Sequence, residues 1–164
     1  MSRAPISEGP ADRARYYEDY RVGEVIHAPG VTLTESDIID FAFRYDPQAF
    51  HTDVEFAKGS IYGGLIASGW QVGALAFRML VQAGFVGRGS MGSPGINNLR
   101  WPRPLRPGDT IYAQVVVLSK RESRSRPELG LVNMDYIVEN QRGQLCCAWD
   151  AVQLVLKRPA AEAG

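Results

Sequence analysis

Between Ser68 and about Ala83 the chain carries a helical stretch with almost no polar face. Trp70, Gly73, Ala74, Phe77 and Val81 fall on one side at helical spacing, and Val72, Leu75, Ala76 and Met79 fall on another. Only Gln71, Arg78 and Gln82 are clearly polar. A helix that is apolar nearly all round has to be covered nearly all round. It falls short of the roughly 20 apolar residues of a membrane span, so it reads as a core helix. Gly73, Ala74 and Ala76 also let neighbouring backbone come close. The cover must come from the rest of the chain.

The residues that follow read as that cover. After a Gly/Ser-rich stretch, 84–95, come four strand-like segments: Ile96–Trp101, Thr110–Lys120, Leu129–Glu139 and Leu145–Leu156. In the third, Val132, Met134, Tyr136 and Val138 alternate with Asn133, Asp135 and Glu139, so one face is wet. Asn140-Gln141-Arg142-Gly143 reads as a hairpin turn, and 102–109 as a turn-rich connector. Ahead of the central helix, a short strand is expected over Val25–Thr32. Thr34 then reads as an N-cap, with Asp37 three positions on, for a helix to about Tyr45. Its apolar side is Ile38, Phe41, Ala42 and Tyr45; Asp37, Asp40 and Arg44 face water. Pro47 pushes Asp46 out of helical geometry and ends it, leaving Asp46 to His51 as a helix exit and loop. The expected class is α+β: a curved antiparallel sheet wrapped around one long central helix. Residues 1–15 read as a flexible tail, 16–158 as a single domain, and 159–164 as a second tail.

Composition narrows the field. Lys+Arg and Asp+Glu balance at 18 each, so no charge excess points to nucleic acid or a membrane surface. Apolar residues make up 45% of the 164, enough for one ordinary core. The N-terminal residues lack the apolar stretch of a signal peptide. Cys146 and Cys147 are adjacent and poorly placed to pair, which fits a reducing cytoplasm. There is no CxxC, HExxH or Walker A loop, and two histidines make a poor metal set, so no metal and no cofactor are expected.

Two segments carry chemistry. Arg44-Tyr45-Asp46-Pro47-Gln48-Ala49-Phe50-His51-Thr52-Asp53 sets a carboxylate and an imidazole five residues apart across a proline. Gly63-Gly64-Leu65-Ile66-Ala67-Ser68-Gly69-Trp70 is a glycine-punctuated turn running into the apolar helix. Together they offer an acid/base pair and a backbone oxyanion site, which suits adding water to an activated acyl chain or removing it. Asp53 reads as an N-cap for a short Val54–Ala57 turn. His27, in a strand with no partner, reads as structural.

These two segments, with Arg100-Trp101-Pro102-Arg103-Pro104-Leu105-Arg106-Pro107-Gly108-Asp109-Thr110, resemble the MaoC-like dehydratases, which include the (R)-specific enoyl-CoA hydratases. The resemblance runs from about Tyr17 to Leu156. It implies a hot-dog fold, a curved antiparallel sheet around a long central helix, in agreement with the order of elements above. It implies Asp46 and His51 as the catalytic pair and the Gly69 amide as oxyanion donor. Ser68, Gly64 and Phe50 are the candidate substrate-binding residues. Three positions depart from the family pattern: Gln48 stands for Asn, Ala49 for Pro, and Ser68 for the usual His before the glycine.

The implied reaction interconverts trans-2-enoyl-CoA and (R)-3-hydroxyacyl-CoA, with coenzyme A as part of the substrate and no further cofactor. A histidine suits a proton shuttle because its ordinary pKa lies near neutrality. An amide at a helix start has the helix dipole behind it. The resemblance further implies a homodimer or dimer of dimers. Arg100, Arg103, Arg106, Lys120, Arg121, Arg124 and Arg126 form a loose basic group in which some residues could cradle the CoA phosphates. Two other functions use the same features: an acyl-CoA thioesterase on the same fold, and a non-catalytic acyl-thioester binding module.

Overall fold

The computed structural model describes residues 13–159. Helix α4, Gly69–Ala83, is the central element. The Ser68 hydroxyl caps its start, accepting from the Trp70 N–H at 3.2 Å, and Gly84 closes its end in the left-handed conformation. Val72, Ala76, Met79 and Leu80 are buried against the sheet. Burying side chains as large as Met79 and Leu80 contributes roughly 1.5–3 kcal/mol each. The helix is nonetheless sheltered on one side only. Trp70 is 60% exposed and Phe77 41% exposed, where the sequence implied cover nearly all round. One sheet can cover one side of a helix, so a single copy of the chain leaves the other open.

The sheet has six strands, β1 (Val25–His27), β2 (Val31–Thr32), β3 (Ile96–Arg100), β4 (Thr110–Glu122), β5 (Leu129–Asn140) and β6 (Leu145–Leu156). It is antiparallel, in the order β1-β4-β5-β6-β3, with β2 also paired to β4, and the three long strands β4, β5 and β6 are its body. Register places Val115, Tyr136 and Trp149 in one cross-strand row and Val117, Met134 and Ala151 in the next, all buried. Tyr136 stacks on Trp149 with ring centroids 4.6 Å apart. The strand β3 (Ile96–Arg100) forms one edge. This sheet around one helix is the hot-dog arrangement. At the start of β6 the register slips between Val138 and Glu139, leaving Cys146 as the extra residue of a bulge. Cys146 and Cys147 are both buried free thiols.

The expected single strand over Val25–Thr32 is two: β1 (Val25–His27) and β2 (Val31–Thr32), both on β4. Between them Pro29 has no N–H to give the ladder. His27 lies exposed on β1. Helix α1, Glu35–Tyr45, starts on the expected capping box: the Thr34 hydroxyl accepts from the Asp37 N–H, and the Asp37 carboxylate accepts from the Thr34 N–H. Ile38 and Ala42 are fully buried. The Gln71 amide donates to the Asp37 carbonyl at 2.8 Å and ties α4 to α1.

The segment read as a loop after Asp46 contains a one-turn helix, α2 (Ala49–Thr52), and Asp53 caps α3 (Val54–Gly59) through the Phe56 N–H. Pro47 stops α1, but Ala49 favours helix and lets the chain re-enter it at once. Of the two expected tails, residues 1–12 and 160–164 lie outside the described residues. The last of the first tail is packed: Arg13 O accepts from the Arg88 N–H, and the Arg15 guanidinium pairs with Glu24 at 2.8 Å.

Candidate active site

Two chain breaks bring the pair together. Asp46 is the C-cap of α1, held in a non-helical conformation ahead of Pro47, while its N–H still bonds to the Ala42 carbonyl. His51 sits on α2, 4% exposed. Its Nδ1 lies 2.8 Å from the Ile66 carbonyl oxygen. A carbonyl only accepts, so Nδ1 carries a proton and Nε2 turns towards Asp46. Asp46 Oδ2 and His51 Nε2 are 3.3 Å apart.

Asp46 is held from two further sides. The Ser68 hydroxyl donates to its Oδ2 and the Gln48 amide to its Oδ1, each at 2.7 Å. Burial pushes the Asp46 carboxyl up, but the hydrogen bonds from Ser68 and Gln48 and the nearby His51 outweigh it, so it ends below the ordinary carboxylate range. Gln48, at a position where the sequence departs from the family pattern, therefore holds the Asp46 carboxylate directly.

Gly69 opens α4 in the wall of the same cleft, which has a volume of about 540 Å³. Its N–H has no acceptor among the described residues, as expected for the first turn of a helix. A Cβ on Gly69 would lie 2.6 Å from the Trp101 ring, so any larger residue would force the ring to move. Asp46, His51 and Gly69 thus line one cavity.

The three candidate substrate-binding residues separate. Phe50 lines the cleft, edge-on to His51 at 4.5 Å and tilted against Tyr62 at 5.1 Å. Ser68 is fully buried, and its hydroxyl is occupied by Asp46 and the Trp70 N–H. Gly64 is not in the cleft wall; it lies in the turn beside Arg106, whose guanidinium bonds to the Tyr62 carbonyl. Sequence reading missed Tyr62, Trp101 and Cys146 as wall residues. Trp101 was legible only as the end of a strand; its place over Gly69 depends on packing. Among the described residues no three His, Cys, Asp or Glu side chains gather as a metal set, and no helix is long and apolar enough to cross a membrane.

Comparison with known proteins agrees with this fold. A family model described as a MaoC like domain matches residues 19–140. The crystal structure of a MaoC-like dehydratase from Rhodospirillum rubrum superposes with a TM-score of 0.83 at 37% identity, covering 89% of this chain and 99% of that one. The unliganded R-hydratase PhaJ1 of Pseudomonas aeruginosa gives a TM-score of 0.70 at 25% identity, over 87% and 86% of the two chains. The uncharacterized protein YdeM of Bacillus subtilis is 30% identical over 125 residues, 76% of this chain and 87% of its own. The chain spans about a third of the length of two other curated relatives, 33% and 36%.

Proposed function

This chain belongs to the MaoC-like dehydratase family, and from that premise we propose that it interconverts trans-2-enoyl-CoA and (R)-3-hydroxyacyl-CoA. The observation that carries the reading is the meeting, in one cleft, of the Asp46/His51 pair and the unpartnered Gly69 N–H.

The geometry suits each step. With the His51 proton on Nδ1, the Nε2 lone pair and the Asp46 carboxylate are two acceptors 3.3 Å apart in one cleft. A substrate water seated there donates one hydrogen to each and presents its oxygen to C3 of the enoyl chain. As the C3–O bond forms, a water O–H bond breaks and its proton passes to the pair. A proton from the pair completes the addition at C2, so the net change is H and OH across the double bond. Between these events the thioester oxygen carries enolate charge. The Gly69 N–H meets it, with the α4 dipole behind. One such donor is worth roughly 2.7–4 kcal/mol of barrier.

A homodimer or dimer of dimers belongs to the same proposal. The open side of α4, with Trp70 and Phe77, and the edge strand β3 are surfaces a second copy would cover. Two buried, unpaired cysteines fit work in a reducing cytoplasm.

The test is absorbance at the enoyl-thioester band with crotonyl-CoA, with a thiol reagent run alongside. Absorbance should fall without release of free thiol. Asp46→Asn and His51→Ala should each lower the rate by roughly 10²-fold or more. Free thiol would instead mark a thioesterase. Binding without turnover across a panel of enoyl-CoAs would mark a binding module.

A further inference from the structure

A second cavity, about 390 Å³, adjoins the catalytic cleft, and the two share Arg103 and Pro104 as common wall. Its polar lining includes Arg103, Arg106, Arg142 and one carboxylate, Asp109. That carboxylate is already engaged: Oδ2 accepts from the Arg106 N–H at 2.8 Å and Oδ1 from the Gln141 amide at 2.8 Å. The Arg106 guanidinium is engaged too, by the Tyr62 carbonyl. Arg103 and Arg142 are exposed, and neither side chain has a hydrogen bond or ion pair among the described residues.

The remaining cations of the basic group are placed elsewhere. Lys120 caps the Tyr17–Asp19 turn, donating to the Tyr17 and Tyr20 carbonyls at 3.2 and 2.7 Å. Arg100 bonds to the Asn98 carbonyl, and Arg121 to that of Glu122. Arg124 and Arg126 lie in the β4–β5 connection. That is the far end of β4 from the cleft, about 40 Å along the strand at ~3.3 Å per residue. Arg142 was not in that group. It sits on the β5–β6 turn, and the pairing of Asn140 with Ile111 brings this turn back to the cleft end of β4.

We infer that Arg103 and Arg142 form the phosphate-binding site of the thioester carrier, and that this carrier is the nucleotide arm of coenzyme A. The inference rests on the hydratase reading for the thioester in the adjoining cleft. A phosphate offers three acceptor oxygens, and a guanidinium fork meets two of them in one plane. Two uncommitted forks flank a groove that runs from the Gly69 amide along the proline-rich connector. The acyl end lies over Asp46 and His51 and the phosphorylated end lies between the two arginines.

The experiment pairs kinetics with binding. Crotonyl-CoA and crotonyl-N-acetylcysteamine, which lacks the nucleotide, are compared on wild type and on Arg103→Ala/Arg142→Ala. The double variant should raise KM for the CoA thioester by roughly tenfold or more and leave KM for the truncated thioester where it was. Adenosine 3′,5′-bisphosphate, measured calorimetrically, should bind wild type and weaken on the double variant by a similar factor, with affinity falling as salt rises. Equal KM changes for both thioesters, or no difference in nucleotide binding between wild type and variant, would overturn the inference. So would a wild type that turns over carrier-protein thioesters while binding the nucleotide no better than the variant does. Nucleotide binding that depends on both arginines, in a protein that hydrates no enoyl-CoA, would uphold this site and sink the hydratase reading instead.

Discussion

At Asp46 one penalty opposes three favourable partners. Loss of water raises the carboxyl; Ser68, Gln48 and His51 pull it down further than burial lifts it. A carboxylate with a folded pKa below its unfolded value gives stability that is present above the ordinary carboxylate range and lost as pH falls through the folded value. Ser68→Ala removes one of the two hydrogen bonds and the cap of α4 together. The cap alone costs about 1 kcal/mol. The variant should therefore be destabilised most near neutral pH and less in acid, read as urea midpoints across the pH range. Its Asp46 pKa rises, so the acid limb of kcat/KM should move to higher pH. An unmoved limb would mean that the Ser68 bond does not tune the base.

On the scale of elements, the start of α4 and the β3–β4 connection are fitted to each other. Trp101 leaves β3 and lies across Gly69, and Trp70 meets it edge-on at 5.4 Å. Gly69→Ala forces the indole to move. Overpacking of this kind costs roughly 1–3 kcal/mol. The thermal midpoint should drop, hydration should fall with it, and Gly69→Ala/Trp101→Ala should recover part of the stability. A Gly69→Ala protein as stable as wild type would show that the ring yields freely. The same scale explains why α2 was missed: a proline signals where a helix stops, whereas a single new turn beginning two residues later leaves almost no periodic trace.

For the molecule as a whole, the open side of α4 is the informative surface. The sequence called for a helix covered nearly all round, and one sheet covers half of it. In the proposed dimer a second copy would cover the other half. Ala74 is a small, exposed residue on that side, so Ala74→Arg leaves the monomer's own core untouched. It should shift sedimentation from dimer to monomer. A wild-type protein that sediments as a monomer with full activity would refute the dimer outright.

Strand alternation, the all-apolar helix, the Thr34 and Asp53 caps and the break at Pro47 were legible in the chain, because each depends on neighbours a few residues away. They sufficed for an α+β sheet around one helix, and the Asp46-to-His51 spacing marked the catalytic candidates. Tertiary structure alone decided the rest. It turned the Ser68 hydroxyl onto Asp46, laid Trp101 over Gly69, brought Arg142 of the β5–β6 turn into one cavity with Arg103, and left one face of α4 uncovered. Those contacts join residues tens of positions apart, and their geometry is set by strand register and helix packing, for which no local pattern exists.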